Sequence, residues 1–280
     1  KAATGVYTYA VTNGALFVNG TTPADVNQGA AGDCYYVATL GSVANASPSV
    51  ISNALIDNGN GTYGVKFYLN GVAAYTTVNK SVPTDAGSVA FASNSSYSLN
   101  GETWVSLLEK AFVQLNTQAD VDDRGADWVG ENSYQAVEGG WASPIKMLTN
   151  LSYKYYSSYY NGIPDAYASG EFVSTNAQTY KQTIINALNA GSIGWLGSFG
   201  DSNSATNGKQ NFVSGHAFML LGYNAGTDKF IVRNPWGGDG SRGSASTADD
   251  YNPQFEASIT EFWNSSVKGV VAISDAASAA

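Results

Sequence analysis

Gln28-Gly29-Ala30-Ala31-Gly32-Asp33-Cys34-Tyr35 holds the one cysteine of the 280-residue chain. Two glycines make a flexible approach, Asp33 is a residue type that caps helices, and a mainly apolar run then continues toward Pro48. A short helix is expected from Cys34 to about Asn45. Its first residue is then the cysteine, placed where the helix dipole is positive and a thiolate is favoured. The glycines, Gly32 nearest, allow close backbone approach and leave room for another molecule. Most lone cysteines are small buried hydrophobes; the Gly-Asp-Cys setting separates this one from them.

Working outward, a second helical pattern covers Ile51 to Ile56. Tyr63–Leu69 and Val72–Val78 flank Asn70-Gly71, the signal for a hairpin with a type I′ turn. The strongest helix pattern is Thr103 to Gln118, with Trp104, Leu107, Leu108, Ala111, Phe112 and Leu115 on one stripe. The pattern breaks around Val137-Glu138-Gly139-Gly140-Trp141, which sets a boundary between subdomains 1–140 and 141–280. Beyond it, Thr179–Ala190 reads as a helix with Gly191 after its end. Strands are expected at Gly194–Phe199, Ala217–Tyr223 and Lys229–Asn234, and a polar loop from Gly237 to Asn252.

The one histidine, His216, stands just before the second of these strands, and Asn234 ends the third. If Tyr223 faces Lys229 across their hairpin, Phe218 faces Asn234. His216 shares a face with Phe218, so it becomes a diagonal neighbour of Asn234. An odd slip or a bulge separates them. On a shared face the Asn234 carboxamide oxygen accepts one ring N–H of His216 and leaves the other nitrogen for a thiol. Taken singly, His216 reads as a satisfied strand residue and Asn234 as a turn residue before Pro235. Gln28 lies six positions before Cys34; its amide, with the Cys34 backbone N–H, has the donor chemistry of an oxyanion hole, although spacing alone also fits a polar loop residue. Glutamine, cysteine, histidine and asparagine together are the components of a thiol peptidase.

Composition excludes several classes. With 44% apolar residues the chain can build a real core. No apolar stretch spans a membrane. A net charge of -9, with 13 basic residues, argues against nucleic acid and suits cation binding. One Cys and one His leave no internal disulfide and no usual structural zinc site, while oxygen-ligated calcium stays open. Lys at position one reads as a processed chain or an excised domain. A Lys-poor chain rich in Asn, Ser, Thr, Gly and Tyr reads as extracellular, secreted and bacterial, with the cytoplasm as the alternative.

These residues resemble the calpain family of papain-like cysteine peptidases. Gln28-Gly29-Ala30-Ala31-Gly32-Asp33-Cys34-Tyr35 is similar to Q-G-x-x-G-D-C-W, with Tyr35 in place of the Trp. Glu102-Thr103-Trp104-Val105-Ser106-Leu107-Leu108-Glu109-Lys110-Ala111-Phe112 is similar to the F-W-x-x-L-L-E-K-A-Y helix. Ser133-Tyr134-Gln135-Ala136-Val137-Glu138-Gly139-Gly140 is similar to S-Y-E-A-L-x-G-G. Gly215-His216-Ala217-Phe218 and Arg233-Asn234-Pro235-Trp236-Gly237 resemble G-H-A-Y and R-N-P-W-G. The order of these five motifs is the family's, and they spread over nearly the whole chain.

The resemblance implies an α+β, papain-like fold of two subdomains. The first lobe is mainly helical and carries Cys34; the second is rich in antiparallel β-structure and carries His216 and Asn234; the active-site cleft lies between them. It implies endopeptidase action on proteins or peptides and makes Trp236 a gate residue. It implies a calcium site at the backbone oxygens of Val18 and Gly20 and the carboxylates of Asp25 and Glu102. A second family site is altered, with Gly240, Asn252 and Gln254 at its acidic positions and Asp239, Asp249 and Asp250 nearby. A monomer is expected. The competing functions are acyl transfer of the transglutaminase kind, which usually has Asp where this chain has Asn234, and a binding module that keeps the site without turnover.

Overall fold

The computed structural model describes residues 7–94, 96–121, 130–157, 171–174, 177–200, 205–206, 209–210, 212–237, 253–263 and 267–276. The chain forms two compact units, Lys1–Asn150 and Leu151–Ala280. The sequence break at 140/141 falls ten residues before this division. The intervening segment carries a helix that packs inside the first unit.

The first unit contains helices α1 (Cys34–Ala46), α2 (Pro48–Ala54), α3 (Trp104–Leu115) and α4 (Pro144–Thr149). Its strands are β1 (Thr8–Val11), β2 (Leu55–Asp57), β3 (Thr62–Leu69), β4 (Val72–Asn79), β5 (Ser81–Asp85) and β6 (Ser88–Val89). They make two three-stranded sheets, β1-β5-β6 and β2-β3-β4. Helix α1 is buried almost all round: Tyr35 to Ala44 are all inaccessible, as a helix apolar on every side must be. The Tyr36 ring stacks on Phe112 of α3 at 3.8 Å, and its hydroxyl donates to Leu108 O at 2.9 Å. The expected apolar stripe of α3 is buried in full. Each such large apolar side chain contributes roughly 1.5–3 kcal/mol on burial.

Two boundaries differ from the pattern. The second helix starts at Pro48, where the ring fits the first helical position, and ends at Ala54. Leu55 and Ile56, expected to be helical, pair as strand residues with Val65 and Gly64, because the β3 edge supplies them with backbone partners. The β3–β4 hairpin turns at Asn70 (φ 51°) and Gly71 (φ 81°), both left-handed as a type I′ turn requires.

The second unit is built on one seven-stranded sheet. Its strands are β7 (Tyr153–Ser157), β8 (Glu171–Ser174), β9 (Gly194–Ser198), β12 (His216–Asn224), β13 (Lys229–Arg233), β14 (Gln254–Ala257) and β15 (Gly269–Ser274). The order is β14-β13-β12-β9-β15-β7-β8, antiparallel except for β7 with β8. A small separate ladder joins β10 (Ala205–Thr206) to β11 (Lys209–Gln210). Helices α5 (Ala177–Asn189) and α6 (Ile259–Phe262) complete the unit. Ile184 of α5, Leu196, Phe218, Phe230, Val232 and Val271 share one buried cluster. Gly191, left-handed at φ 84°, follows α5 as expected.

Candidate active site

Cys34 is the first residue of α1, half-buried and in no disulfide. Asp33 is the N-cap, and its backbone oxygen accepts from the N–H groups of Tyr36 and Val37. The approach to the cysteine is held by internal contacts. Gly29 (φ 69°) has no room for a side chain, since a Cβ there would stand 2.5 Å from Phe91 O. Gly32 accepts from Gly139 N at 2.8 Å, and the space its missing Cβ leaves is filled from 3.1 Å outward by the Glu138 side chain. The segment Ser133–Gly140 therefore clamps the loop that ends in Cys34. Gln28 is buried in the same loop. Its amide nitrogen donates to Ala31 O at 2.6 Å and has a second hydrogen to give.

His216 opens β12 and Asn234 directly follows β13. Near the turn Asn224 pairs with Lys229 and Tyr223 with Phe230, one residue out of the simple register. Continued along the strands, that slip would turn His216 and Asn234 to opposite faces. Leu221 prevents it. This residue is inserted as a bulge between the Leu220–Val232 and Gly222–Ile231 pairs, and one extra residue cancels one residue of slip. Beyond the bulge Met219 faces Arg233, so the register that brings Phe218 opposite Asn234 is recovered.

The result is a direct contact. His216 Nε2 lies 2.9 Å from Asn234 Oδ1. The same oxygen accepts the Trp236 backbone N–H at 3.0 Å, which fixes it as an acceptor. The hydrogen shared with His216 therefore belongs to Nε2, and Nδ1 is the acceptor of the neutral ring. Asn234 is fully buried, and its Nδ2 has no hydrogen-bond partner among the described residues. The imidazole is walled by Trp236, with ring centroids 4.3 Å apart, and by Phe218 at 4.8 Å. Trp236 is half-buried and Gly215, just before His216, is left-handed at φ 62° and exposed. A neutral ring of fixed tautomer, partly screened from water, is equipped to take a proton from an acid and return it.

Among the described residues no three His, Cys, Asp or Glu side chains gather as a metal cluster. The expected calcium positions instead combine two carboxylates with backbone oxygens. Glu102 is buried just ahead of α3 and accepts the Val18 N–H. Burial pushes its carboxyl above the usual range, the Asp25 charge adds to this, and the Val18 N–H opposes it. Asp25 sits in a 3-10 turn and accepts from Thr22 N at 2.6 Å. Asn19 (φ 59°) and Gly20 (φ 95°) bend the loop left-handed. Two carboxyl groups, Asp25 and Glu102, with the backbone oxygens of the exposed loop residues Val18 and Gly20, form a hard-oxygen donor set that fits Ca²⁺. Of the second expected site, Gln254 pairs with Arg233 at the β14 edge; Asp239, Gly240, Asp249, Asp250 and Asn252 lie outside the described residues.

Two features escaped the sequence patterns. The Leu221 bulge has no composition signal. Glu109 does: it occupies an i+4 row of α3 between Val105 and Val113, and all three are buried. A carboxyl in a buried row marks a special environment.

A family model described as "Calpain family cysteine protease" matches residues 8–256. The chain is 27% identical over 239 residues to the calpain-2 catalytic subunit of Homo sapiens, covering 79% of this chain and 29% of that protein. It is 26% identical over 240 residues to calpain-8 of Mus musculus, covering 80% and 29%. It is 29% identical over 230 residues to the calpain-type cysteine protease ADL1 of Oryza sativa subsp. japonica, covering 79% and 9%. The chain thus spans less than a third of the length of these curated relatives.

Proposed function

The chain belongs to the calpain family of cysteine proteases, and from that premise we propose that it is a calcium-responsive endopeptidase using Cys34, His216 and Asn234. The observation that carries the reading is the His216–Asn234 hydrogen bond, which leaves Nδ1 as the basic nitrogen. In the proposed reaction His216 Nδ1 takes the Cys34 proton, and the thiolate attacks the scissile carbonyl carbon. The Cys34 backbone N–H belongs to the first turn, whose N–H groups have no acceptor within their own helix; with the second hydrogen of Gln28 Nε2 it holds the oxyanion. His216 then gives its proton to the leaving amine as the C–N bond breaks. Water, with His216 again as base, cleaves the thioester and restores the thiol. Trp236 shields the His216–Asn234 bond from solvent, and Gly32 and Gly215 border the substrate path.

The reading requires the thiol of one unit and the imidazole of the other to meet in one site, as a papain-like two-lobe arrangement has it. Val18 and Gly20 carbonyls with the Asp25 and Glu102 carboxylates would hold calcium. Bound there, the ion supplies positive charge that offsets the Asp25–Glu102 repulsion and ties the loop to the start of α3. Asp25→Ala should then weaken calcium stimulation of casein cleavage, and an unchanged calcium titration counts against this site. Secretion remains part of the proposal on composition.

An epoxide-type thiol inhibitor tests the chemistry. The expected adduct is on Cys34, lost in His216→Ala. Unreactive Cys34 in the wild type, with calcium present, returns the chain to a binding role. Incorporation of an amine into a glutamine substrate without net peptide hydrolysis makes it an acyl transferase.

A further inference from the structure

Asp33 and Glu109 are the most deeply buried carboxyl side chains among the described residues. Asp33 precedes Cys34 and caps α1, yet its side chain makes no capping hydrogen bond. Both its oxygens are buried and receive no hydrogen from an N–H or hydroxyl among the described residues. The Asp33 carboxyl lies instead against the carboxyl of Glu109, each acting on the ionisation of the other. Two carboxylates have no hydrogen to share, so a hydrogen bond between them requires a proton on one of them. Glu109 is disposed to keep it: Oε1 accepts the Ala92 N–H at 3.0 Å, which leaves Oε2 for the hydroxyl.

The groups facing the pair do not neutralise it. They are the Glu138 carboxyl and the phenols of Tyr36 and Tyr134, with Tyr9 beyond Tyr134. Lys110 is next in sequence, but its ammonium goes to Asn79 O, Asn79 Oδ1 and Ser81 O. Desolvation accordingly dominates. Burial pushes Glu109 well above the carboxylate range and Asp33 up to about 7, the Glu109 hydrogen bond opposing the latter.

We propose that Glu109 and Asp33 are positioning residues, a buried acid pair in which Glu109 keeps its proton and donates it to Asp33, so that the charge on Asp33 governs how readily Cys34 ionises. An anion at the N-cap cancels the positive end of α1, the field that favours the Cys34 thiolate. A neutral Asp33 leaves that field intact. The thiol is therefore intrinsically more acidic while Asp33 is protonated than once Asp33 is ionised, so the thiolate fraction climbs with pH less steeply than for an isolated thiol. The functional meaning rests on Cys34 being the nucleophile, but the device itself does not require turnover.

The test is the pH profile of Cys34 alkylation by iodoacetamide in the full chain. Asp33→Asn should lower the apparent Cys34 pKa by on the order of one unit, about a tenfold gain in alkylation rate below that pKa. Glu109→Leu removes the donor, keeps Asp33 protonated and should move the profile the same way. Glu109→Gln can accept from Ala92 and donate to Asp33, and should track the wild type. A merely structural role would not separate Gln from Leu in this direction. An Asp33→Asn profile superimposed on the wild type overturns the proposal, as does Glu109→Gln behaving like Glu109→Leu. If a variant fails to fold, the wild type decides by infrared spectroscopy: a carboxylic-acid carbonyl band persisting at pH 7 supports the pair, and its absence overturns it. Casein cleavage enters none of these readouts, so the pair and the peptidase reading can fail separately.

Discussion

The surroundings of Cys34 and of His216, one in each half of the chain, are stabilised by opposite kinds of interaction. Around Cys34 the first unit buries two carboxyls at the end of an enclosed helix, where ionisation dominates the energetics. Around His216 the second unit uses a carboxamide, a backbone N–H and aromatic rings on a sheet. Burial of charge governs the first half, and strand register and side-chain geometry govern the second. A buried acid pair makes the surroundings of a thiol responsive to pH, while a carboxamide fixes the orientation of an imidazole without adding a second charge.

The largest effect expected from this contrast is in the second half. Asn234→Ala removes the acceptor that fixes the His216 tautomer and ring plane. Peptidase kcat should fall on the order of a hundredfold while circular dichroism stays that of a folded chain. Activity within a few-fold of wild type would show that the ring is oriented by other contacts.

In the first half, Gly29→Ala forces a side chain onto left-handed backbone and against Phe91 O. It should lower stability on the order of 2–3 kcal/mol in urea denaturation. A midpoint equal to wild type would mean that the loop before Cys34 is not the close-fitted segment described here.

The acid pair sets the sign of a pH effect. Asp33 stands near 7 in the folded chain against about 3.9 when unfolded. Between those values the native state holds more protons, so stability falls as pH rises from about 4 through about 7. Glu109, also raised, extends the fall in the same direction. Urea midpoints should be lower at pH 8 than at pH 5, and Asp33→Asn should flatten the difference. A steeper slope in that variant contradicts the pairing.

The smallest effect expected is the most specific. Deleting Leu221 closes the bulge but leaves Leu220 opposite Val232 and Gly222 opposite Ile231. The β12–β9 ladder ends at Leu220 and is not cut. The His216–Asn234 bond should therefore survive, with activity reduced only a few-fold. Complete loss would give the bulge a role beyond register correction.

The sequence is most legible where structure is local. Cys34 at a helix start, the α3 stripe and the Asn70-Gly71 turn all follow from residues a few positions apart. The pairing of His216 with Asn234 is legible only in outline, because the slip at Tyr223–Phe230 and the compensating bulge at Leu221 are set by packing across the sheet. The start of α2 at Pro48 was available from proline's preference for the first helical turn. The strand at Leu55–Asp57 was not, because it depends on β3 as a neighbour. Glu109 stood in plain view within the buried row Val105–Glu109–Val113, but its partner Asp33 comes from a different helix and only the fold joins them.

One measurement bears most directly on the central claim that Cys34 and His216 act in the same reaction. Casein cleavage is followed with calcium present for wild type, Cys34→Ala and His216→Ala, each shown folded by circular dichroism. The account predicts turnover in the wild type and none above background in either variant. Persisting cleavage in a folded Cys34→Ala or His216→Ala protein contradicts it.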